Sequence, residues 1–343
     1  LPNIFDREII GGTDVNVALL GRPYSILQTS MNKGIPDIFS NLNIKTFYQD
    51  MLPLHREDTS EIDPLLMRLH WNYAAKILQA ALFAARMPGL YPVYITSFKC
   101  SPDSFAIEYF KRIMDKYGKP YLILELDEHD SKVGYETRIE AAIQSFRNHY
   151  KDKSPHTKPA HFLSLNSEHV TKLNGKTLLF PCFDPLNAKL IEAVLIKEGV
   201  DTRMVPLTEK TIQCGLRTNK GQCIPVNIIA QGYIDYIKDN LLDPAQTAVW
   251  CFESHVPCNI RLYPQLIKGI MEASGGGMEK VDVYVGNLSM NDISIQASIE
   301  AYFAYMFGGM LRKIGCKIRP YEKEKGMTDR AVTEALNIFY NTL

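Results

Sequence analysis

Short apolar runs alternate along the chain with longer segments in which apolar residues recur every three or four positions. The short runs are typical of buried strands, and they predict strands over 15–21, 44–50, 93–98, 120–127, 177–183, 201–207, 247–252 and 281–287. The longer segments predict helices over 34–42, 64–86, 102–117, 134–149, 187–199, 224–240, 259–273, 294–313 and 327–341. This alternation favours the α/β class, here two open, mainly parallel units of the Rossmann-like (flavodoxin-like) type with additional helices.

One stretch interrupts the alternation. Residues 151–174 are polar, contain two prolines and show no sustained period. Such a segment is typical of a connection rather than of a packed element. We therefore predict a first α/β domain over 1–150, a linker or excursion over 151–175, and a second α/β domain with C-terminal helices over 176–343.

The composition excludes some classes of function. Apolar residues make up 46% of the 343 positions, enough for ordinary buried cores, and the formal net charge is zero. Nothing in this balance predicts nucleic acid or a membrane surface as a partner. No apolar run reaches the roughly 18 residues of a membrane span, and no signal peptide is evident. The chain begins at Leu1 with residues typical of a domain interior, so we expect a piece of a longer polypeptide.

The seven cysteines are scattered, which argues against a disulfide framework and favours a reducing, cytoplasmic location. Three of them, Cys100, Cys223 and Cys258, each lie just before a predicted amphipathic helix. The partial positive charge of a helix N-terminus favours the thiolate, which is the form that binds metal. Ligands of open α/β sheets also bind where strands end and helices begin. We therefore predict that these three thiolates converge on one iron–sulfur cluster in a cleft between the two domains.

The spacing by itself leaves a structural alternative open. The chain has no C-x-x-C pair and no compact ferredoxin run, and a reduced cysteine often serves as a small buried apolar residue. Other cysteines fit that alternative better: Cys251 lies inside a predicted buried strand, and Cys316 is expected to pack near a helix end. Cys214 is placed before a loop. Cys182, at the end of a predicted strand, is a weak fourth candidate ligand.

Two further segments carry polar groups at predicted strand ends. Gly21 and Gly34 flank a loop in which Arg22 offers charge to an anion or another ligand, the alternative being a tight turn with a structural arginine. The loop matches neither G-x-G-x-x-G nor a P-loop, so it does not predict a nucleotide site. The acidic run Glu125–Asp130, which includes His129, is compatible with a metal or acid–base site, or with acids that cap the next helix.

Several longer strings give the chain a family resemblance. They are LGRPYSILQTSMNKGIPDIF, FKCSPDSFAIEYF, GKPYLILELDEHDSKVGYETRIEAAI, NKGQCIPVN and VPCNIRLYPQLIKGIMEASGGGMEKVDVYVGNLS. These strings resemble the iron–sulfur-protein-like region of large fused proteins known as 2-hydroxyacyl-CoA dehydratase activators, or activases. The resemblance extends over nearly the whole chain and reaches, more loosely, the dehydratase subunits and the double-cubane cluster proteins.

The resemblance implies a cofactor, partners and a redox role. In the family, three cysteines hold a 4Fe–4S cluster, or two such cubanes are joined as a double cubane, and an ATPase delivers a low-potential electron. Carried over to this chain, the ligands are Cys100, Cys223 and Cys258. The implied partners are ATPase activator domains of the same or another chain, and an acyl-CoA substrate. The chain departs from the fusions in having no ATPase signature, and an isolated piece of this kind could lack its cluster.

Three hypotheses about function follow. The first is an iron–sulfur redox module that accepts or relays low-potential electrons from an ATP-driven activator. The second is a non-redox module that regulates or scaffolds the fused ATPase, and the third is a subunit of an (R)-2-hydroxyacyl-CoA dehydratase. Iron and acid-labile sulfide analysis separates the first from the second, and turnover of a 2-hydroxyacyl-CoA tests the third.

Overall fold

The computed structural model of the chain describes residues 2–9, 15–97, 102–127, 132–152, 170, 172–219, 221–251, 258–285 and 293–342. Within these ranges the strands form two four-stranded sheets in which every strand pair is parallel. Helices flank both sheets, so the predicted α/β class with two Rossmann-like units is confirmed. Contacts divide the chain into a first unit, Leu1–Asn166 with Lys220–Cys223 and Val256–Leu262, and a second unit that holds the rest.

The first unit contains a sheet with the strand order β2-β1-β3-β4. Its strands are β1 (Asn16–Gly21), β2 (Thr46–Tyr48), β3 (Leu90–Thr96) and β4 (Leu122–Glu125). Its helices are α1 (Pro2–Ile9), α2 (Pro23–Ile26), α3 (Ile35–Asn41), α4 (Asp63–Leu66), α5 (Asn72–Arg86), α6 (Pro102–Tyr117) and α7 (Lys132–Lys151). All residues of the central strands β1 and β3 are buried, which explains why both are continuous apolar runs rather than alternating ones.

The second unit repeats this strand order as β6-β5-β7-β8. Its strands are β5 (Thr177–Pro181), β6 (Thr202–Val205), β7 (Thr247–Cys251) and β8 (Asp282–Val285). Its helices are α8 (Pro185–Lys197), α9 (Glu209–Thr218), α10 (Ile224–Asp239), α11 (Tyr263–Ala273), α12 (Ile295–Ile318) and α13 (Met327–Thr342). Most of the predicted linker, 153–169 and 171, lies outside the described residues, so the predicted domain limits stay a prediction.

The single helix predicted over 64–86 is wrong, because the chain forms α4 and α5 with a break between them. Trp71, just before α5, has an extended backbone with φ −104° and ψ 110°. Both ring nitrogens of His70 lie 3.4 Å from Nη1 of Arg261, a residue of the first unit that is distant in sequence. The break therefore coincides with a long-range contact, which helical periodicity does not report.

Helix α9 was not predicted from the sequence. The prediction that Cys214 precedes a loop is wrong, because this residue lies inside α9. The helix packs tightly on α10 through Gly215. A Cβ atom on Gly215 would lie 2.8 Å from Cα and 3.0 Å from N of Ile228. The missing side chain is thus what allows the two helix backbones to approach each other.

Replacing Gly215 by alanine should therefore destabilise the protein by about 1–3 kcal/mol, since the new methyl group meets backbone atoms that cannot move aside. Gly232→Ala in α10 is the matched control, because its Cβ would meet only Cγ2 of Thr211 at 3.4 Å and Cγ1 of Val205 at 3.5 Å. There the better helix propensity of alanine should leave the stability unchanged or raise it by up to about 1 kcal/mol. Chemical denaturation followed by circular dichroism measures both variants, and equal losses would contradict the packing explanation.

Within the described ranges, no helix combines the length and the apolar character that crossing a lipid bilayer requires.

Candidate functional site

In the first sheet, the order in which successive strands are added reverses between β1 and β3. The chain passes from β1 outward to β2 and then returns to pair β3 with the other side of β1, in register from Asn16 with Leu90 to Gly21 with Ile95. In open α/β sheets, the carboxyl ends of such a central strand pair border a crevice that binds ligands. We call this region, together with the first turns of α6, the switch-point edge.

Gly21 ends β1 in close contact with β3. A Cβ atom at this position would lie 2.5 Å from the carbonyl oxygen of Ile95 and 2.8 Å from Cγ2 of Ile26. The N–H of Gly21 donates to Oε1 of the buried Gln49 over 3.2 Å. The close approach that this glycine allows is therefore to the neighbouring strand, and it positions the residue that follows.

A buried ion pair ties the end of β1 to α6. Nε of Arg22 donates to Oδ1 of Asp103 over 2.8 Å, and Asp103, in the first turn of α6, is only 2% exposed. Oδ2 of Asp103 accepts a 3.2 Å hydrogen bond from Oγ1 of Thr96, the last residue of β3. Burial opposes the charge of Arg22, but the hydrogen bond and the charge of Asp103 outweigh it and raise the pKa of Arg22 above its ordinary value.

A cavity of about 380 Å³ lies beside this ion pair. The guanidinium of Arg22 also donates through Nη1 to the hydroxyl of Tyr24 over 3.0 Å, at the cavity wall. Mostly apolar walls with a few convergent polar groups are the usual composition of a small-ligand site. The wall is formed by Arg22, Pro23, Tyr24, Trp71, Tyr73, Ala74, Pro102 and Asp103.

Several polar atoms at the switch-point edge are buried and find no hydrogen-bond partner in the part of the chain that the structure describes. They are Nη2 of Arg22, Oγ of Ser25, Nε2 of Gln49, the hydroxyl of Tyr94 and Oγ of Ser97. Burial, with a smaller contribution from the charge of Asp103, raises the pKa of Tyr94 well above its ordinary value, so its hydroxyl keeps its proton. Buried polar groups are nearly always paired, so such a group of donors is typical of a place where a ligand, ion or water completes the hydrogen bonds.

The segments that carry two of the predicted ligands join this unit. Lys220–Cys223 and Val256–Leu262 group by their contacts with the first unit, whereas the sequence assigned both to the second domain. Nε2 of Gln222, next to Cys223, donates to Oε2 of Glu108 on α6 over 2.9 Å. The 3₁₀ helix Asn259–Leu262, which begins directly after Cys258, also packs against α6. Both segments therefore meet the helix that begins two positions after Cys100.

The described ligand candidates present their thiols differently. Cys258 is exposed and Cys223 is partly buried, directly before α10, while Cys100 lies outside the described residues. Within the described ranges, no three His, Cys, Asp or Glu side chains are grouped so that they could hold a metal ion. Because Cys100 is not in those ranges, this observation does not test the three-cysteine set.

Three other cysteines lie outside the predicted three-cysteine set. Cys251 on β7 is 4% exposed, and burial raises its pKa to about 12, which confirms that it is a packing residue. Cys182 follows β5, and burial together with the charge of Asp184 raises its pKa, so its thiol is held in the neutral form that binds metal poorly. Cys316, near the end of α12, is exposed, so the expectation that it packs is wrong.

Two arginines lie close together beside the Cys258 segment. The pKa of Arg68 is lowered, first by burial and then by the positive charge of Arg261. Tyr109 on α6 raises this pKa, but by less than burial lowers it. Arg261 is the third residue of the 3₁₀ helix that follows Cys258. Two neighbouring cations favour an anion nearby, and a cluster held by three thiolates carries negative charge.

The remaining predictions from the sequence have mixed outcomes. The pairing of Arg22 with Asp103 supports a structural arginine, although its Nη2 is buried and finds no hydrogen-bond partner among the described residues. Glu125 is the last residue of β4, but 128–131 lie outside the described residues, so the choice between a metal site and helix capping stays open. Asp103 was missed as a site residue. Its only signal was a carboxylate at a predicted helix start, where such residues commonly serve as caps.

No protein-family model, no curated protein and no solved structure matches this chain. The resemblance to dehydratase activators therefore stays a prediction.

Proposed function

We propose that this chain is an iron–sulfur redox module that binds a 4Fe–4S cluster, or a double cubane, through Cys100, Cys223 and Cys258. One observation carries the proposal: the segments that contain Cys223 and Cys258 both pack on α6, the helix that Cys100 precedes in sequence. Two proposed ligands that are far apart in sequence thereby belong to segments that contact the same helix. In this proposal the module accepts or relays low-potential electrons from ATPase activator domains of the same or another chain.

The chemistry of the described residues fits such a group. Thiolates are the soft ligands that iron–sulfur clusters select, and neither Cys223 nor Cys258 is fully buried. Arg68 and Arg261 supply positive charge next to the Cys258 segment, which offsets the negative charge of a thiolate-bound cluster. When bound, the cluster supplies one-electron chemistry, and hydrogen-bond donors and charges around it set its potential.

The protein residues have separate tasks in this proposal. The hydrogen bonds of Asp103 with Arg22 and Thr96 hold the start of α6, the helix that follows Cys100 in sequence, against the ends of β1 and β3. The bond from Gln222 to Glu108 does the same for the segment of Cys223. An acyl-CoA substrate and a cytoplasmic location are parts of the proposal that rest on the sequence alone.

Anaerobic reconstitution with ferrous iron and sulfide tests the proposal directly. For a single cubane we expect about four irons and about four acid-labile sulfides per chain, with visible charge-transfer absorption that bleaches on reduction. Electron paramagnetic resonance of the reduced protein should then show a cluster signal. A folded chain that retains neither iron nor sulfide would contradict the redox module and favour the non-redox scaffold of an ATPase.

A further inference from the structure

Helix α12 (Ile295–Ile318) is apolar on two opposite sides. Its inner side carries mostly small residues and is buried, with α8 as its main neighbour. The buried residues are Ala297, Ala304, Gly308, Leu311 and Gly315. A helix that is apolar all round is normally buried all round, yet the outer side of α12 has no cover among the residues that the structure describes.

The outer side is lined by large apolar side chains along the whole length of the helix. Six of them, each between 47% and 63% exposed, recur every four positions within each half of the helix. We call this set the outer stripe: Ile295, Ile299, Phe303, Met310, Ile314 and Ile318. Met306 lies at its middle and is 46% exposed, and Tyr302 and Tyr305 extend it sideways at 62% and 54%.

We propose that the outer stripe is the interface of a symmetric, antiparallel dimer of this chain. The first argument is the arrangement of the stripe about the midpoint of α12, between Met306 and Phe307. The stripe residues form three pairs at equal distances from that midpoint: Ile295 with Ile318, Ile299 with Ile314, and Phe303 with Met310. A two-fold axis through the midpoint therefore places each stripe residue opposite an apolar counterpart, which is the self-complementarity that an isologous interface requires.

The second argument is the area. An aromatic side chain offers about 150–250 Å² of surface and an isoleucine or methionine somewhat less, so the nine at about half exposure offer up to roughly 700–1,000 Å² per copy. A stable dimer of standard size buries about 800 Å² on each partner. The exposed area of the outer stripe with its three flanking residues is thus comparable with what one partner of a standard dimer buries.

The third argument is charge. Lys313 lies roughly five helical turns after Ile295 and so faces the same side. The antiparallel arrangement places Lys313 and Lys317 at the levels of Glu300 and Gln296 of the other copy, because these positions are equidistant from the midpoint. Hydrogen bonds from Gln296 and Lys197 lower the pKa of Glu300, which keeps it ionised. A parallel arrangement would instead bring Lys313 and Lys317 against their own copies.

Sedimentation velocity of the full chain at concentrations from about 1 to 50 μM, in the micromolar range of weak specific complexes, tests the interface. The wild type should be a dimer, and Phe303→Lys and Met310→Glu should each be monomeric, with at least a tenfold weaker association. Leu241→Lys is the matched control, since Leu241 is an apolar residue of the same unit that is 92% exposed, and it should remain dimeric. All three changes are at exposed positions, and circular dichroism should show unchanged helix content.

Mixing the two charged variants tests the antiparallel register. In an equimolar mixture, Lys at 303 of one copy faces Glu at 310 of the other, while the second contact stays Met against Phe. We therefore expect the mixture to dimerise although each variant alone does not. Either a mixture that stays monomeric or single variants that stay dimeric would overturn the proposed register.

A wild-type chain that is monomeric at 50 μM would overturn the dimer itself. Vesicle binding would then test whether a lipid surface covers the outer stripe instead. Co-sedimentation with phosphatidylserine-containing vesicles, abolished by Phe303→Lys, would assign the outer stripe to a lipid surface. The dimer proposal is independent of the cluster, so loss of iron in any variant has no bearing on it.

Discussion

Replacing Cys223 by serine should remove most of the iron that the wild-type chain retains after anaerobic reconstitution. A serine hydroxyl is a poor substitute for the soft thiolate, and even residues that only support metal ligands cost about 10–100-fold in affinity when they are changed. Cys258→Ser should have the same effect. The measurement is iron per folded chain, with circular dichroism as the measure of folding.

Two cysteines outside the proposed ligand set are the controls. Cys316 is exposed, as Cys258 is, so Cys316→Ser tests for a general effect of losing a surface thiol and should keep its full iron. Cys251 is buried in β7, so Cys251→Ser should lower the free energy of unfolding by about 1–3 kcal/mol while iron per folded chain is unchanged. If Cys223→Ser and Cys251→Ser retain iron equally while folded, the ligand set is wrong.

Replacing Asp103 by alanine should lower the free energy of unfolding by about 3 kcal/mol, near the lower end of the range for breaking a buried ion pair. The loss is large because Arg22 would keep its charge while most of its side chain remains buried, and Thr96 would lose an acceptor. The lower end applies because Arg22 is 23% exposed and water reaches part of it. Urea denaturation of both proteins gives the difference.

A surface pair of similar geometry is the control for Asp103. Asp329 accepts from Nη2 of Arg319 over 2.6 Å, but the two side chains are 61% and 50% exposed, so Asp329→Ala should change the stability little. The double variant Arg22→Met/Asp103→Leu should recover part of the loss, because it removes the charge that the single variant leaves unpaired. A double variant as unstable as the sum of its single variants would argue against a coupled pair.

The elements that sequence reasoning located well are those whose burial is decided locally. The predicted helix over 102–117 and the observed α6 (Pro102–Tyr117) agree at both ends, because Pro102 suits a first helical turn and Gly118 follows the last one. The strands were visible as apolar runs since parallel strands are covered on both faces. The same reasoning failed for 64–86, where the chain breaks near a contact between His70 and Arg261, and for α9, where Gly215 is used for close packing rather than as a helix stop.

For the candidate site, local sequence placed Cys223 directly before α10 and Cys258 directly before a helical segment, though that segment begins as a 3₁₀ helix. Local sequence also predicted that a strand ends at Gly21 and that Arg22 lies in the loop that follows it. Which unit the two cysteine segments join, and that Arg22 pairs with a carboxylate far along the chain, depend on contacts between residues of high sequence separation. No period or spacing carries that information.

The sequence by itself determines the α/β class, the succession of most strands and helices, and the residue types that make an iron–sulfur site chemically reasonable, because burial period and side-chain chemistry are local properties. The tertiary structure decided that the segments of Cys223 and Cys258 meet α6, that Asp103 accepts hydrogen bonds from both Arg22 and Thr96, and that α12 leaves a long apolar side exposed. These features arise when the chain closes long loops and one surface covers another. The free energy of each such contact depends on a partner far along the chain, which a local sequence pattern does not identify.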